Sequence, residues 1–346
     1  LIVTAFRERA SFGWLIFCAL PAMCGCWSRS SPEVVVYSAL DREFSEPILQ
    51  EFELATNIRV RDKYDPESTK TVGLVSEIIQ QQTRPACDVF WNNEILHTLR
   101  LQKLGLLDVY VSPSADSFPA NYVSADGTWH GFAARARVLI VNTDLVPPAD
   151  QPASIEDLAD DRWKDKVAIA KPLFGTTATH AAVLFSTWGE TKARRFFTDV
   201  KRNAQVLSGN KQVATAVARG QVAFGLTDTD DAIIELEEGF PVTIVLPDQK
   251  PDQLGALFIP NTLCIIRGGP NPQHARELVD YLLQPQVEAR LATGRSAQFP
   301  VNPEVEVTSR VMPKTPVKWM DVDFSAAADA WNTAAGFLRD EFAAAQ

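Results

Sequence analysis

The sequence predicts an α/β protein of two lobes, and three observations carry that prediction. Short β-branched runs alternate with segments of helical apolar spacing through most of the 346 residues. Two longer extended runs, 130–142 and 255–267, sit on either side of a central block that repeats the same rhythm, as chain crossings between two domains would. A composition of 46% hydrophobic and 22% charged residues supplies apolar groups for two cores and excludes disordered, collagen-like and disulfide-scaffold classes.

The first 26 residues stand outside this fold. Arg7 and Arg9 precede an apolar run over 12–20, Pro21 interrupts it, and small residues surround Cys24-Gly25-Cys26, which is the layout of a secretory signal. The run is roughly half the ~20 residues that a membrane-spanning helix requires. Met23-Cys24-Gly25-Cys26 resembles a bacterial lipobox, which would make Cys26 the lipidated N-terminal residue. Plain cleavage, leaving a soluble periplasmic protein, is the alternative.

Residues 33–38 read as a first strand, followed by a helix with Phe44, Ile48 and Phe52 on one face and a second strand over 58–64. A turn and cap at 65–69 lead to a helix carrying Val72, Val75 and Ile79, a strand at 87–91, and a helix carrying Ile95, Leu99 and Leu104. Beyond the first crossing come a strand at 166–170, a helix after Gly175, helices around Phe196 and around Val213, a strand at 222–226 and a helix at 232–236. After the second crossing, Ala328, Trp331, Ala335 and Leu338 mark a closing helix. Alternation at this length implies parallel sheets covered on both faces. Domain 1 is expected to comprise 27–135 and 258–300, and domain 2 136–257 and 301–346 with the C-terminal helix.

Several function classes are excluded. A formal charge of −10 argues against a nucleic-acid partner. Five cysteines and four histidines, without CxxC or HExxH, offer no zinc ligand set. There is no GxSxG elbow, Walker loop or GxGxxG, and His97, His130, His180 and His274 are scattered, so neither catalysis nor a cofactor is expected. Cys87 and Cys264 are expected to be free, buried thiols.

A hinged two-lobed α/β protein binds ligand where strands end and helices begin. The candidates are therefore Ser38, Ala39 and Asp41 after the first strand, Glu67, Ser68 and Thr69 after the second, Asn92, Asn93 and Glu94 after the third, with Trp91 at its end, and Thr176, Thr177 and Thr227–Asp231 in the second domain. Thr176 and Thr177, like Ser68 and Thr69, suit either an anion site at a helix N-terminus or plain caps. Arg135 and Arg137 alternate along the first crossing and share a face, where one could reach an anion. Asp228, Asp230 and Asp231 exceed what capping needs and suit a hard cation or a protonated amine.

The runs Val35-Val36-Tyr37-Ser38-Ala39, Asp88-Val89-Phe90-Trp91-Asn92-Asn93-Glu94, Gly105-Leu106-Leu107, Gly131-Phe132-Ala133-Ala134-Arg135, Gly225-Leu226-Thr227-Asp228-Thr229-Asp230-Asp231-Ala232 and Ile259-Pro260-Asn261-Thr262 together span nearly the whole mature chain. In them the chain resembles the ferric-ion-type substrate-binding proteins of bacterial ABC importers, within the periplasmic binding protein type II fold. The resemblance implies a monomeric periplasmic receptor, anchored through Cys26, that delivers a small charged solute to an inner-membrane ABC permease. Iron-binding members hold Fe³⁺ with adjacent tyrosines, often helped by a histidine, a carboxylate and a bound anion. Here the corresponding loop reads Thr227-Asp228-Thr229-Asp230, the turn for the histidine reads Leu40-Asp41, and none of the five tyrosines forms a pair. The implied solute is then a ferric ion or ferric complex on oxygen ligands such as Glu94, Asp228 and Asp230, or a small oxyanion such as a phosphonate or aminophosphonate. An exported hydrolase on a similar fold is the competing class.

Overall fold

The computed structural model describes Ile2 and residues 31–65 and 71–342. The signal segment with Cys26, together with Glu67, Ser68 and Thr69, lies outside the described residues. In chain order the elements are β1 (Glu33–Ser38), α1 (Arg42–Thr56), β2 (Arg59–Tyr64), α2 (Val72–Gln80), β3 (Val89–Asn92), α3 (Leu96–Lys103), β4 (His130–Asn142), β5 (Val167–Ala170), α4 (Gly175–Trp188), α5 (Glu190–Asn203), β6 (Ala204–Leu207), α6 (Asn210–Ala218), β7 (Phe224–Asp228), α7 (Thr229–Glu237), β8 (Val242–Val245), β9 (Phe258–Ile265), α8 (Pro272–Leu282), α9 (Pro285–Thr293) and α10 (Phe324–Phe342). No described helix is long and apolar enough to cross a membrane.

β4 joins two sheets. Its first half pairs with β9 in the order β2-β1-β3-β9-β4, and its second half lies between β8 and β7, with β5 and β6 beyond. β1, β2 and β3 are parallel, as are β5, β6 and β7. The expectation of purely parallel sheets is corrected at the crossings, because β9 is antiparallel to both β3 and β4, and β4 is antiparallel to β7 and β8. β4 carries the chain from the first lobe to the second, and β9 runs in the opposite sense, so strands lying side by side there must be antiparallel. Between Phe132 and Ala134 the register shifts by a bulge, where Ala133 has φ 34°.

Strand alternation sends alternate residues to different cores. Val34 and Val36 of β1 pack with Phe44, Ile48 and Phe52 of α1 and Leu278 and Leu282 of α8, whereas Tyr37 joins Leu74, Val75 and Ile78 of α2 and Leu99 of α3. In the second lobe Ala168 of β5 meets Val213 and Val217 of α6, while Val167 and Ile169 join the side built from α4, α5 and α10. Each fully buried Val, Leu or Phe stabilises the fold by about 1.5–3 kcal/mol, so helices on both faces hold each sheet. Cys87 and Cys264 are buried and free.

Candidate functional site

The loops at the C-terminal ends of β1 and β3 meet those following β5, β6 and β7. Asn93 from the first lobe lines one small pocket with Lys171, Thr176, Thr177 and Asn210 from the second. At about 20 Å³ the space holds little more than one water molecule. The lobes are therefore drawn together. Thr179 Oγ1 of α4 donates to Glu94 Oε2 at 2.7 Å across the same junction.

Two arginines organise the cleft. Arg135 and Arg137 lie two apart on β4 and so face the same way, and both are buried. A buried guanidinium is tolerated only when paired and hydrogen-bonded. Arg135 donates to Asp230 Oδ2 at 3.0 Å, to Asn261 Oδ1 at 3.1 Å and to the carbonyl oxygen of Asn93. Arg137 donates to Asp228 Oδ1 at 2.7 Å, to Thr176 and Asn210 at 3.1 Å, and to Thr177 at 3.2 Å.

Asp228 occupies the N-cap position of α7 but makes no capping hydrogen bond through its side chain. Its other oxygen accepts from Thr176 at 2.5 Å and from Asn210 at 2.9 Å. Thr176 and Thr177 are likewise not caps, because Phe174 holds that position in α4. The capping readings are thus corrected: a tertiary ion pair captures these side chains instead. Thr227 donates to the Asn210 carbonyl at 3.0 Å, which fixes the start of α6.

Carboxylates gather where α7 begins. Oxygens of Asp228, Asp230 and Asp231 all lie within 4.8 Å of one another. The positive end of α7 favours them there. Burial works against the charge of Arg135, but Asp230, Asp228, Asp41 and Asp231 outweigh it and raise its pKa. Lys211, raised chiefly by its hydrogen bond to Glu43, also feels Asp41 and Asp231. Asp41 of the first lobe therefore approaches the acidic turn of the second.

The remaining sequence candidates sit behind this surface. Glu94 is fully buried and accepts from Asn92 at 2.7 Å, from the His97 amide at 3.0 Å, and from Thr179. Burial pushes its carboxyl up, yet His97 and these hydrogen bonds outweigh it and hold the pKa below the ordinary value. Ser38 bonds the Leu40 carbonyl at 3.2 Å, and Ala39 is buried in an apolar cluster. Trp91 packs in the core, its ring 5.5 Å from Phe132. His180 is buried, and desolvation with the nearby Arg137 charge lowers its pKa to about 3, so it stays neutral. Sequence reasoning did not single out Lys171, Asn210 or Asn261. Asn210 carries one signal that could have found it, since it opens a helix directly after Ser208-Gly209, as Thr176 stands next to Gly175 in the first turn of α4.

Comparison with known proteins decides the class. Residues 93–327 match the family model described as bacterial extracellular solute-binding protein. The chain belongs to this family. This solute-binding protein is 22% identical over 285 residues to the major ferric iron-binding protein of Neisseria meningitidis, covering 81% of this chain and 84% of that one. It is 24% identical over 242 residues to a putative 2-aminoethylphosphonate-binding periplasmic protein of Salmonella typhi, covering 67% and 69%. Among solved structures it resembles the periplasmic binding protein AfuA of Actinobacillus pleuropneumoniae, bound to fructose-6-phosphate, with a TM-score of 0.80 and 23% identity over 91% of this chain and all of that one. The two-lobed α/β fold predicted from sequence is thereby shared. A solute-binding protein is a binder, and the enzyme reading is set aside.

Proposed function

We propose that this protein is the extracytoplasmic receptor of an ABC importer and that its cargo pairs a hard cation, foremost Fe³⁺, with a small anion. The observation that carries the reading is the clustering of Asp228, Asp230 and Asp231 oxygens within 4.8 Å. Hard cations take oxygen ligands, and carboxylates serve where phenolates are missing. Asp231 and the Oδ1 of Asp230, whose Oδ2 is held by Arg135, would take the cation together with Asp41, while Asp228 is anchored by Arg137 and Glu94 braces the junction from behind. The first-turn amides of α4 and α6, beside Lys171 and Asn210, would take the anion. The relative named for ferric iron supports the same cargo.

A second reading uses the same two subsites for one zwitterion. An aminophosphonate would set its phosphonate at the helix N-termini and its ammonium on the acidic turn, and the relative named for 2-aminoethylphosphonate supports it.

Thermal melts with ferric citrate, ferric iron plus carbonate, phosphate and 2-aminoethylphosphonate separate the two. A cargo at a hundredfold excess over its Kd stabilises the folded state by about 2.7 kcal/mol. A ferric shift that Asp231→Asn removes supports the first reading. A shift with 2-aminoethylphosphonate alone selects the second, and no shift with any of the four overturns both.

Export, periplasmic location, lipidation at Cys26, a monomeric state, delivery to an inner-membrane permease, and division into 27–135 with 258–300 against 136–257 with 301–346 complete the proposal.

A further inference from the structure

We infer that the protein carries a second ligand site, an aromatic cage for a small organic cation, beside the crossover strand β9. The cavity there measures about 390 Å³, within the range of small-molecule sites. Its walls come from four separate stretches of chain: Ile95 between β3 and α3, Tyr122 ahead of β4, Phe258 and Pro260 on β9, and Trp319 with Phe324 leading into and opening α10. None of these residues lines the acidic cleft.

The rings stand as walls and do not lie stacked. Tyr122 and Phe258 are 6.4 Å apart at 60°, and Phe258 and Trp319 are 5.1 Å apart at 65°. Behind them Phe299, only 1% exposed, closes against Phe258 at 5.6 Å and Trp319 at 5.9 Å. The core thus ends at Phe299, and the outer rings of Tyr122, Phe258, Trp319 and Phe324 keep partial exposure. Inclined aromatic faces attract a cation through the ring quadrupole when it sits within ~6 Å of the centroids.

The charge at the rim agrees. Asp321 lines the cavity, is exposed, and makes no hydrogen bond or ion pair with any described residue. Aromatic walls with one uncommitted carboxylate select a compact ammonium over a neutral or anionic guest. A quaternary ammonium fits best, because it needs no hydrogen-bond acceptors from apolar walls.

The test is isothermal titration of the full chain with choline and with its neutral carbon isostere, 3,3-dimethylbutan-1-ol. The site is supported by saturable one-to-one choline binding, at least tenfold weaker for the isostere. Asp321→Asn, an exposed change that leaves the fold intact, should weaken choline at least fivefold, and Trp319→Leu should abolish binding. Absence of choline binding, equal affinity for the isostere, or a choline affinity untouched by Asp321→Asn would overturn the inference.

Discussion

At Arg137 a single guanidinium satisfies Asp228, Thr176, Thr177 and Asn210, four groups from three elements. Removing it strands the Asp228 carboxylate inside the protein, and a broken buried pair typically costs about 3–5 kcal/mol. Arg137→Met is therefore expected to lower unfolding free energy by that order in urea melts, and the double change with Asp228→Leu to recover most of it. His180 gives a different signature. Its folded pKa of about 3 lies below the ordinary 6.5, so below pH 6.5 the unfolded chain binds a proton that the folded chain refuses. Stability is full above 6.5 and falls as pH drops towards 3. Glu94 adds to the acid loss, since its folded pKa is depressed and its contribution disappears as pH falls through that value. Unfolding free energies measured from pH 7 to 3 should show a flatter slope between 6.5 and 4.5 in His180→Asn, while Glu94→Gln flattens only the more acidic part.

At the level of elements, Gly225 of β7 is where α6 comes close to the sheet. A Cβ there would strike Val213 of α6 and come within 2.9 Å of the Ala168 carbonyl on β5. Gly225→Ala should destabilise the second lobe by about 1–3 kcal/mol, read as a lower urea midpoint with unchanged slope. The same elements explain what the sequence discloses. β4 was legible at its full length because thirteen consecutive buried positions leave an unbroken apolar signal around two arginines. The amphipathic helices α1, α2 and α10 were legible from spacing alone. β6 and β8 were not read, for each is four residues long with mostly half-exposed positions that show no clean alternation. α8 and α9 were also not read, although Pro272 and Pro285 stand at their first positions, where proline is favoured. In the candidate site, residue types pointed to loops that the structure brings together, but local sequence named the wrong partners for their side chains. Thr176 and Asp228 look like caps locally, and only a β4 residue 91 positions from Asp228 shows why they are not.

Across the whole molecule, charged residues tie the lobes at the rim of the cleft. Lys211 of α6 meets Glu43 of α1 at 2.9 Å, and Arg295 meets Glu238 at 3.3 Å. Both pairs are exposed, so solvent and salt screen them. Glu43→Ala is expected to weaken cargo affinity less than about fivefold, with small-angle scattering at low salt reporting a larger open fraction that the wild type matches only at high salt. A fiftyfold loss would mean that this pair governs closure. Closure instead rests on the buried junction of Glu94 with Thr179 and of Arg135 with Asp230. The bulge at Ala133 has a further consequence. Side chains on a strand swap faces with every residue counted, so the one extra residue sets the phase for everything downstream of it. Excising Ala133 would turn both guanidiniums to the opposite side of the sheet. A single inserted amino acid thus acts as the phasing element that lets one strand serve a core in the first lobe and a charged cleft at the second.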